Sequence, residues 1–285
     1  MKTQKYSSYL LLNRIIRTCV CILLCVLSLF PFYIMIVNAT LSSEQIKAGI
    51  HLLPGGLFKT NFDMLMDKAS GTTPIWRTML NSLTIAVPTT VFSVYFSAMT
   101  AYGIHTYRFV GRKAVWTFIL AIMMVPAQVS ILGFYQFMLQ INLDDTYWPL
   151  IIPSIAAPTI VFFMRQYMQS ALSLEIVESS RIDGAGEFRT FNTIVTPMLL
   201  PAIATQAIFQ FIAAWNNLFV PSIILTSPDK ITLPMSIQMF RSEQFKTDFG
   251  VVYMGLFITV IPIFIVYFIL SKYIIEGVAL GGVKE

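Results

Sequence analysis

The sequence predicts an all-α membrane protein with six transmembrane helices. Its mean hydropathy is +0.72; 56% of its 285 residues are hydrophobic and 12% are charged, whereas roughly 25% are charged in soluble domains. Apolar segments of about 20 residues, long enough to cross a bilayer as helices, recur along the chain. They lack the alternation of barrel strands, and a helix satisfies its own backbone hydrogen bonds in lipid. The predicted spans are residues 18–38, 80–103, 114–137, 147–168, 203–225 and 250–271.

The first span has two interpretations. Four basic residues precede it, and Val37-Asn38-Ala39 is acceptable as a signal-peptide cleavage site. The apolar stretch from Cys19 to Val37 is longer than the roughly 7–15 residues of a signal core. We therefore predict an uncleaved anchor, preceded by a cytoplasmic amino-terminal segment at residues 1–17, with residues 18–285 forming the transmembrane domain.

Basic residues favour a cytoplasmic amino terminus. With this orientation 12 of the 19 Lys and Arg residues lie inside, and four of those outside share one long loop, where charge has little influence on topology. The inverted orientation would place Arg108, Arg112 and Lys113 outside. Both termini are therefore predicted to be cytoplasmic, and the net charge of +5 reflects topology, not nucleic-acid binding.

A polar segment at residues 173–201 separates two apolar spans and predicts a helix-turn-helix surface. Ser173 is a suitable N-cap for a short helix that ends near Arg181. Gly184 follows Asp183 and can adopt the positive φ that ends a helix. The residue types indicate a docking surface and not an active site.

A second short helix is predicted after this turn. Phe188, Phe191 and Val195 fall at i, i+3 and i+7, the spacing of one apolar stripe on a helix. Prolines end the pattern from Pro197 onward. The helix-turn-helix surface carries the charged side chains Glu178, Arg181, Asp183, Glu187 and Arg189.

Signatures of catalysis and of metal binding are missing. The chain has two histidines, no His-Glu-x-x-His, no Gly-x-Ser-x-Gly and no Gly-Lys dipeptide, which excludes a P-loop. The three cysteines, Cys19, Cys21 and Cys25, lie in the first span without further ligands nearby. We predict no catalytic residue, no metal site and no cofactor bound by this chain.

Uncharged polar residues remain within the spans and suggest a solute pathway. Amides donate and accept hydrogen bonds, and an indole offers an apolar face to a sugar ring. Hydrogen bonding between helices explains each residue equally well, so both interpretations stay open. The candidate pathway residues are Gln128, Tyr135, Gln210, Trp215, Asn216 and Asn217.

The loop resembles a motif in the membrane-spanning subunits of binding-protein-dependent ABC importers. That motif reads Glu-Ala-Ala, three residues, Gly, nine residues, Ile, one residue, Leu-Pro, and the chain keeps its spacing from Glu178 to Pro197. Two serines replace the alanines, and Thr196 replaces the leucine. In the family this loop inserts into a groove of the ATP-hydrolysing subunit. The resemblance implies a coupling loop with these docking residues: Glu178, Ser179, Ser180, Asp183, Gly184, Ala185, Phe188, Ile194 and Pro197.

Further matches across roughly residues 78–285 resemble carbohydrate-importer permeases of the maltodextrin type. They include Asn81-Ser82-Leu83, Arg108-Phe109-x-Gly111-Arg112-Lys113, Trp215-Asn216 and residues 277–284. The resemblance implies a type I ABC importer permease fold in a bacterial cytoplasmic membrane. It also implies a second homologous permease subunit, a cytoplasmic ATPase dimer that carries ATP and Mg, and an extracytoplasmic solute-binding protein. The chain is then a non-catalytic subunit that forms half of the pathway for a sugar or oligosaccharide.

A secondary, ion-coupled transporter is the main alternative. Proton-coupled carriers usually place Asp, Glu or His inside the membrane, and the predicted spans contain none of these and only Arg165 as a charged residue. A sodium-coupled carrier that uses backbone carbonyls at broken helices stays open. The prolines that could break the spans are Pro88, Pro126, Pro153 and Pro158. A membrane scaffold without transport is a third class, in which the spacing of the loop motif would be a coincidence.

Overall fold

The computed structural model describes the backbone of residues 2–70, 73–241 and 248–281, and the side chains within residues 13–67, 73–126, 129–241 and 248–274. The regular elements of this described backbone are all helices, which confirms the predicted all-α class. The chain divides into two compact units. One contains the residues up to Lys68 together with Met239–Ile258, and the other contains Ala69–Gln238 and the residues from Thr259 onward.

The helices vary from single turns to spans of more than 30 residues. In chain order they are α1 (Lys2–Asn38), α2 (Ser43–Ala48), α3 (Phe58–Ser70), α4 (Ile75–Thr106), α5 (Arg112–Met123), α6 (Ile131–Gln140), α7 (Trp148–Ile151), α8 (Pro158–Ala171), α9 (Leu174–Ile182), α10 (Glu187–Arg189), α11 (Thr196–Met198), α12 (Leu200–Trp215), α13 (Phe219–Ile224), α14 (Leu233–Met239) and α15 (Phe249–Gly281). Short 3-10 turns occur at Ala127–Ser130, Ile152–Ile155 and Pro228–Lys230, and a π-helix occurs at Thr190–Val195.

Five helical segments of the described chain are long and apolar enough to cross a membrane, as expected for a multi-pass protein. They are Asn13–Asn38, Ile75–Thr106, Trp148–Ala171, Leu200–Ile224 and Phe249–Ile274. The predicted third span, residues 114–137, is not one helix: α5 ends at Met123, and α6 begins at Ile131 after Pro126 and a 3-10 turn. Proline has no N–H to continue the helical hydrogen bonding. The predicted count of six single-helix spans is therefore not confirmed.

Asn61 is the polar centre of the first unit. Its side-chain amide donates to the carbonyl groups of Ala39 and Leu41, at 2.8 and 3.0 Å, in the loop that follows α1. Gly250, in the first turn of α15, lies against the same Leu41 carbonyl and the Asn61 amide. The loop after α1 is thereby joined to α3 and to the start of α15.

Gly250→Ala is expected to destabilise the protein by about 1–3 kcal/mol, the usual cost of overpacking. The added Cβ would lie 2.5 Å from the Leu41 carbonyl oxygen and 2.7 Å from Asn61 Nδ2. Helix propensity alone would make the alanine variant more stable by about 1 kcal/mol. A net loss of stability would therefore be caused by the close contact of the added Cβ. Gly103→Ala is the matched control, because Gly103 also lies within a helix, α4, and no atom lies within 4 Å of its added Cβ. Equal thermal midpoints for both variants in detergent would contradict the prediction.

Helix α4 presents a face of small side chains at the centre of the second unit. The members of this face are fully buried, at intervals of seven, four and four residues: Ala86, Ser93, Ser97 and Ala101. Small residues let membrane helices approach closely, and α8 and α12 pack against α4. Met164 of α8 is also completely buried in this core. A displacement of α4 would therefore also displace α8 and α12.

Asp145 joins two loops of the second unit, one before α7 and one after α13. Its carboxylate accepts hydrogen bonds from the hydroxyl and N–H groups of Ser227 and pairs with Lys230 Nζ at 2.9 Å. Burial raises the pKa of the Asp145 carboxyl, but these donors outweigh burial and hold the pKa well below its usual range. Asn81, near the start of α4, donates to the Asp229 carbonyl at 2.9 Å. The loop before α7, the loop after α13 and the start of α4 thus meet at one end of the unit.

Candidate functional site

Helix α9 has the two caps that the sequence predicts. At its start the Ser173 hydroxyl accepts a hydrogen bond from the Glu175 N–H at 3.3 Å. At its end Gly184 adopts φ +77°. The Gly184 N–H donates to the Arg181 carbonyl, and the next N–H donates to the Ser180 carbonyl, both at 3.0 Å, which is the Schellman pattern. The helix ends here because glycine adopts this φ without a steric penalty.

Ser180 lies inside the loop and not on its surface. Its hydroxyl donates to the Val177 carbonyl at 2.7 Å and lies 3.1 Å from the Thr190 hydroxyl. All three residues are buried. The contact with Thr190 joins α9 to the segment that follows the turn. Ser180 therefore holds the two halves of the loop together from within, and a small side chain is needed for this close approach.

The second half of the loop contains a π-helix, Thr190–Val195, between α10 and α11. Its i to i+5 hydrogen bonds change the register of the side chains relative to an α-helix. Phe191 and Val195 are buried, whereas Phe188 is 71% exposed. The predicted single stripe of Phe188, Phe191 and Val195 is therefore wrong, and Phe188 points away from the core.

Two of the charged residues in the loop, Arg181 and Glu187, form an ion pair. Arg181 Nε lies 2.7 Å from one carboxylate oxygen of Glu187, and the other oxygen accepts a hydrogen bond from the Tyr102 hydroxyl of α4 at 3.2 Å. The Arg181 guanidinium also lies 5.4 Å from the centre of the Tyr107 ring. The hydrogen bond from Arg181 lowers the pKa of the Glu187 carboxyl, and burial beside that carboxylate raises the pKa of the Tyr107 phenol. These contacts attach the loop to α4.

The exposed part of the loop combines acidic and aromatic side chains. Glu178 and Asp183 are exposed on and after α9, and neither has a cationic partner within 4 Å among the residues that the structure describes. Phe188 is exposed in the same loop. An uncovered aromatic ring on a well-supported base is typical of the centre of a protein contact surface. Of the other predicted docking residues, Ser179, Gly184 and Pro197 are exposed, and Ala185 and Ile194 are half-buried.

Three breaks between helices meet around one cavity of the second unit. They separate α5 from α6, α7 from α8, and α12 from α13. The cavity has a volume of about 580 Å³, and each break contributes one polar side chain to its wall: Ser130, Thr159 and Asn217. Broken membrane helices present backbone carbonyls and helix ends to such cavities. This arrangement can bind an uncharged polar solute.

The predicted break prolines behave differently from one another. Pro126 lies between α5 and α6, and Pro153 and Pro158 flank the break before α8. Pro88 lies within the continuous helix α4. Neighbouring helices can satisfy the carbonyl that an interior proline frees, so proline alone does not decide where a span breaks.

Trp215 is a packing residue in this structure. It is 1% exposed, its indole N–H donates to the Thr259 carbonyl at 3.0 Å, and its ring stacks on Phe211. The side chain therefore has no face open to a solute. Of the two interpretations that the sequence left open, hydrogen bonding between helices describes Trp215.

The other predicted pathway residues are separated by the fold. Asn217 lines the cavity, and Tyr135 packs beside it in a cluster that includes Phe134 of the cavity wall. Gln210 is half-buried and Asn216 is exposed, and neither is among the described residues of the cavity wall. The side chain of Gln128 lies outside the described residues, as do those of residues 277–284. Asn217 is thus the predicted residue best placed to meet a solute.

Residues 93–279 match the family model described as binding-protein-dependent transport system inner membrane component. The chain belongs to this family. It is therefore a permease component of an ABC importer, and an ion-coupled carrier is not supported. No residue in such a transport component is required to catalyse a reaction, in agreement with the missing enzyme signatures.

Relatives of this permease extend over most of its length. The arabinooligosaccharides transport system permease protein AraQ of Bacillus subtilis (strain 168) is 32% identical over 98% of this chain and 99% of its own. The maltodextrin transport system permease protein MdxG of the same organism is 32% identical over 72% and 74%. The sn-glycerol-3-phosphate transport system permease protein UgpE of Escherichia coli O1:K1 / APEC is 30% identical over 87% and 90%.

A solved structure shares the fold of this permease. One chain of a bacterial ABC transporter involved in the import of the acidic polysaccharide alginate matches with a TM-score of 0.75, over 92% of this chain and 96% of that chain. The two sequences are 23% identical. The permease fold predicted from the loop motif is therefore confirmed.

Sequence reasoning did not identify the aromatic support of the loop. Phe191 packs between Tyr95 and Tyr102 of α4, with ring centres 5.8 and 5.4 Å away. The sequence does contain a signal for this aromatic support, because Tyr95 and Tyr102 are seven residues apart and lie on one helix face. Ser130 and Thr159 were also missed, although each lies close to a predicted break proline in the sequence.

Proposed function

We propose that this permease forms half of the translocation pathway of an ATP-driven importer and couples to a separate ATPase through residues 173–201. The loop carries the proposal. It exposes Glu178 and Phe188 on a base that the Arg181–Glu187 ion pair and two helix caps hold together. A well-supported loop transmits a displacement of its partner to the spans, whereas a flexible one would absorb it.

The contacts between the loop and α4 supply a route for this displacement. The Tyr95 hydroxyl donates to Asn192 Oδ1 at 3.1 Å, and the Tyr102 hydroxyl donates to Glu187. Phe191 packs against both tyrosine rings. Because α4 packs against α8 and α12, movement of the loop would rock these spans together. Closure of an ATPase dimer would then change which side of the membrane the cavity faces.

The proposed solute is a sugar or an oligosaccharide. AraQ and MdxG are named for arabinooligosaccharide and maltodextrin transport, and UgpE is named for a phosphorylated polyol. Hydroxyl-rich solutes bind to groups that donate and accept hydrogen bonds. The hydroxyls of Ser130 and Thr159 and the amide of Asn217 offer both kinds of group among apolar side chains that suit the faces of a sugar ring.

The proposed assembly contains a second homologous permease, a cytoplasmic ATPase dimer and an extracytoplasmic solute-binding protein. ATP and Mg would bind the ATPase, since this chain has no P-loop. Both termini and the 173–201 loop would face the cytoplasm of a bacterial cell. The end of the second unit that holds Asp145 would then face outward, toward the solute-binding protein.

Cysteine labelling is expected to report this orientation. In a background without the three native cysteines, a cysteine at Asp144 should react with an impermeant maleimide in intact cells, whereas one at Gly186 should not. Both positions are exposed in the structure, so a difference in labelling reflects the side of the membrane. Lysed cells are the control in which both should react. Labelling of the Gly186 cysteine in intact cells would rule out the proposed topology.

Asn217→Leu is expected to weaken transport of the sugar by about threefold to tenfold, the loss of one or two hydrogen bonds to the solute. Asn217 Oδ1 also accepts the Val220 N–H at 3.3 Å in the first turn of α13. Asn217→Ser separates the two functions, because serine can still accept this hydrogen bond but has no amide. Uptake into vesicles and recovery of the assembled complex are measured together.

The two variants distinguish a solute contact from a helix cap. If Asn217 contacts the solute, uptake should be reduced for both Asn217→Leu and Asn217→Ser, and assembly should be normal. Normal uptake for Asn217→Ser, combined with poor assembly for Asn217→Leu, would mean that Asn217 only caps α13.

A further inference from the structure

The turn between α4 and α5 has an uncovered apolar tip. Val110 is 104% exposed and Phe109 is exposed beside it. Gly111 adopts φ +90° and leads directly into α5. The flanking Arg108 and Lys113 are also exposed. Apolar side chains bordered by cations are the composition that inserts into the headgroup region of a membrane.

Four cations gather at this turn and are here called the cationic turn cluster: Arg108, Arg112, Lys113 and Arg165. Across the described side chains, no carboxylate lies within 4 Å of any of them. Arg112 donates to the His105 carbonyl at 3.3 Å, which is a neutral acceptor. Arg112 and Arg165 also repel each other electrostatically. The described side chains therefore leave this charge unbalanced.

Aromatic side chains fix the orientation of Arg165. Its guanidinium carbon lies 4.0 Å from the centre of the Trp116 ring, and that ring stacks on Phe162 at 6.0 Å. Arg165 Nε has no hydrogen-bond partner among the residues that the structure describes. A guanidinium held in one plane loses little freedom when it donates two parallel hydrogen bonds to phosphate oxygens.

The cluster lies at the same end of the second unit as the 173–201 loop. The His105 ring contacts the Leu172 carbonyl at 3.3 Å, and the Tyr107 ring faces Arg181 of the loop. Along α5 no described side chain is buried, and Phe118 is largely exposed. An apolar helix face thus continues from the cations into the depth of the span.

We propose that the cationic turn cluster binds the phosphodiester of an anionic phospholipid, with its acyl chains along α5 and the Phe109-Val110 tip in the headgroup region. A lipid satisfies both parts of the surface, because its phosphate supplies the missing negative charge and its chains cover the apolar residues. A free phosphate ion would satisfy the cations alone. The binding site would lie beside the loop that is proposed to relay the movement of the ATPase.

The test measures lipid binding to the permease purified with the subunits that accompany it. The detergent-solubilised complex is titrated with dioleoylphosphatidylglycerol, and bound lipid is counted by native mass spectrometry. The double variant Arg108→Gln/Lys113→Gln is expected to bind this lipid about 25-fold more weakly, about fivefold for each charge. Both side chains are exposed and make no hydrogen bond in the described structure, so folding does not depend on them. Lys272→Gln, which removes an exposed cation of α15, is the matched control and should bind normally.

Several results would overturn the proposal. Unchanged lipid binding in the double variant would do so, as would an equal loss in Lys272→Gln. Binding of inorganic phosphate as tight as that of the lipid would assign the cluster to a free anion. Loss of an accompanying subunit from the double variant, with normal lipid binding, would assign the surface to a protein contact.

Discussion

Gly184→Leu is expected to abolish sugar uptake and sugar-stimulated ATP hydrolysis together, while membrane insertion stays normal. Gly184 holds φ +77° in the Schellman turn that ends α9, and a side chain in this conformation costs about 1–2 kcal/mol. A cost of this size lowers the ratio of native to non-native turn by about 5–30-fold. No atom of the chain lies within 4 Å of a Cβ at this position, so the effect comes from the backbone and from bulk on the docking surface. Uptake and ATPase activity of the reconstituted complex are measured.

Asparagine supplies the control for this variant. Gly184→Asn adds a side chain of similar size, but asparagine tolerates the left-handed conformation, so most of the coupling should be retained. Glu178→Lys tests the same surface by charge, because reversing one member of a desolvated charge pair costs about 2–5 kcal/mol. Wild-type uptake with full ATPase activity in Gly184→Leu would show that the loop is not a coupling element.

Phe188→Ala is expected to weaken the binding of the ATPase by about 30-fold or more, since a central aromatic contact contributes about 2 kcal/mol or more. The ring is 71% exposed and lies outside the core formed by Phe191 and Val195. Removing it should therefore leave the folding of the permease unchanged. The measurement is the affinity of the purified permease complex for added ATPase subunit, with the thermal midpoint recorded in parallel.

Phe209→Ala makes the same chemical change at a ring that is 65% exposed on α12, away from the loop. It should leave ATPase binding unchanged. If both variants bind the ATPase as the wild type does, Phe188 is not a contact residue. A lower thermal midpoint for Phe188→Ala alone would instead indicate that its ring packs within the permease.

Local chemistry made several features predictable. The hydroxyl of Ser173 and the conformational freedom of Gly184 act on their own neighbours in the sequence, so the ends of α9 agree with prediction. The positions of the spans depend on runs of apolar residues, because the thickness and apolarity of the bilayer set the length and composition of a span. The break at Pro126 was harder to predict, because Pro88 has the same chemistry and stays within a continuous helix. A proline within a helix leaves one backbone carbonyl without its hydrogen bond. Neighbouring helices that satisfy this carbonyl decide whether the helix continues or breaks.

By itself, the sequence determined the all-helical membrane class, the family and the position of the loop, because composition and motif spacing are properties of the chain alone. Only the tertiary structure decided which side chains of the loop are available to a partner. Glu187 is held by Tyr102, 85 residues away, and Ser180 is covered by Thr190 across the turn. A π-helix, which no simple periodicity signals, turns Phe188 outward. These outcomes depend on contacts between segments that are distant in sequence, and no local pattern encodes them.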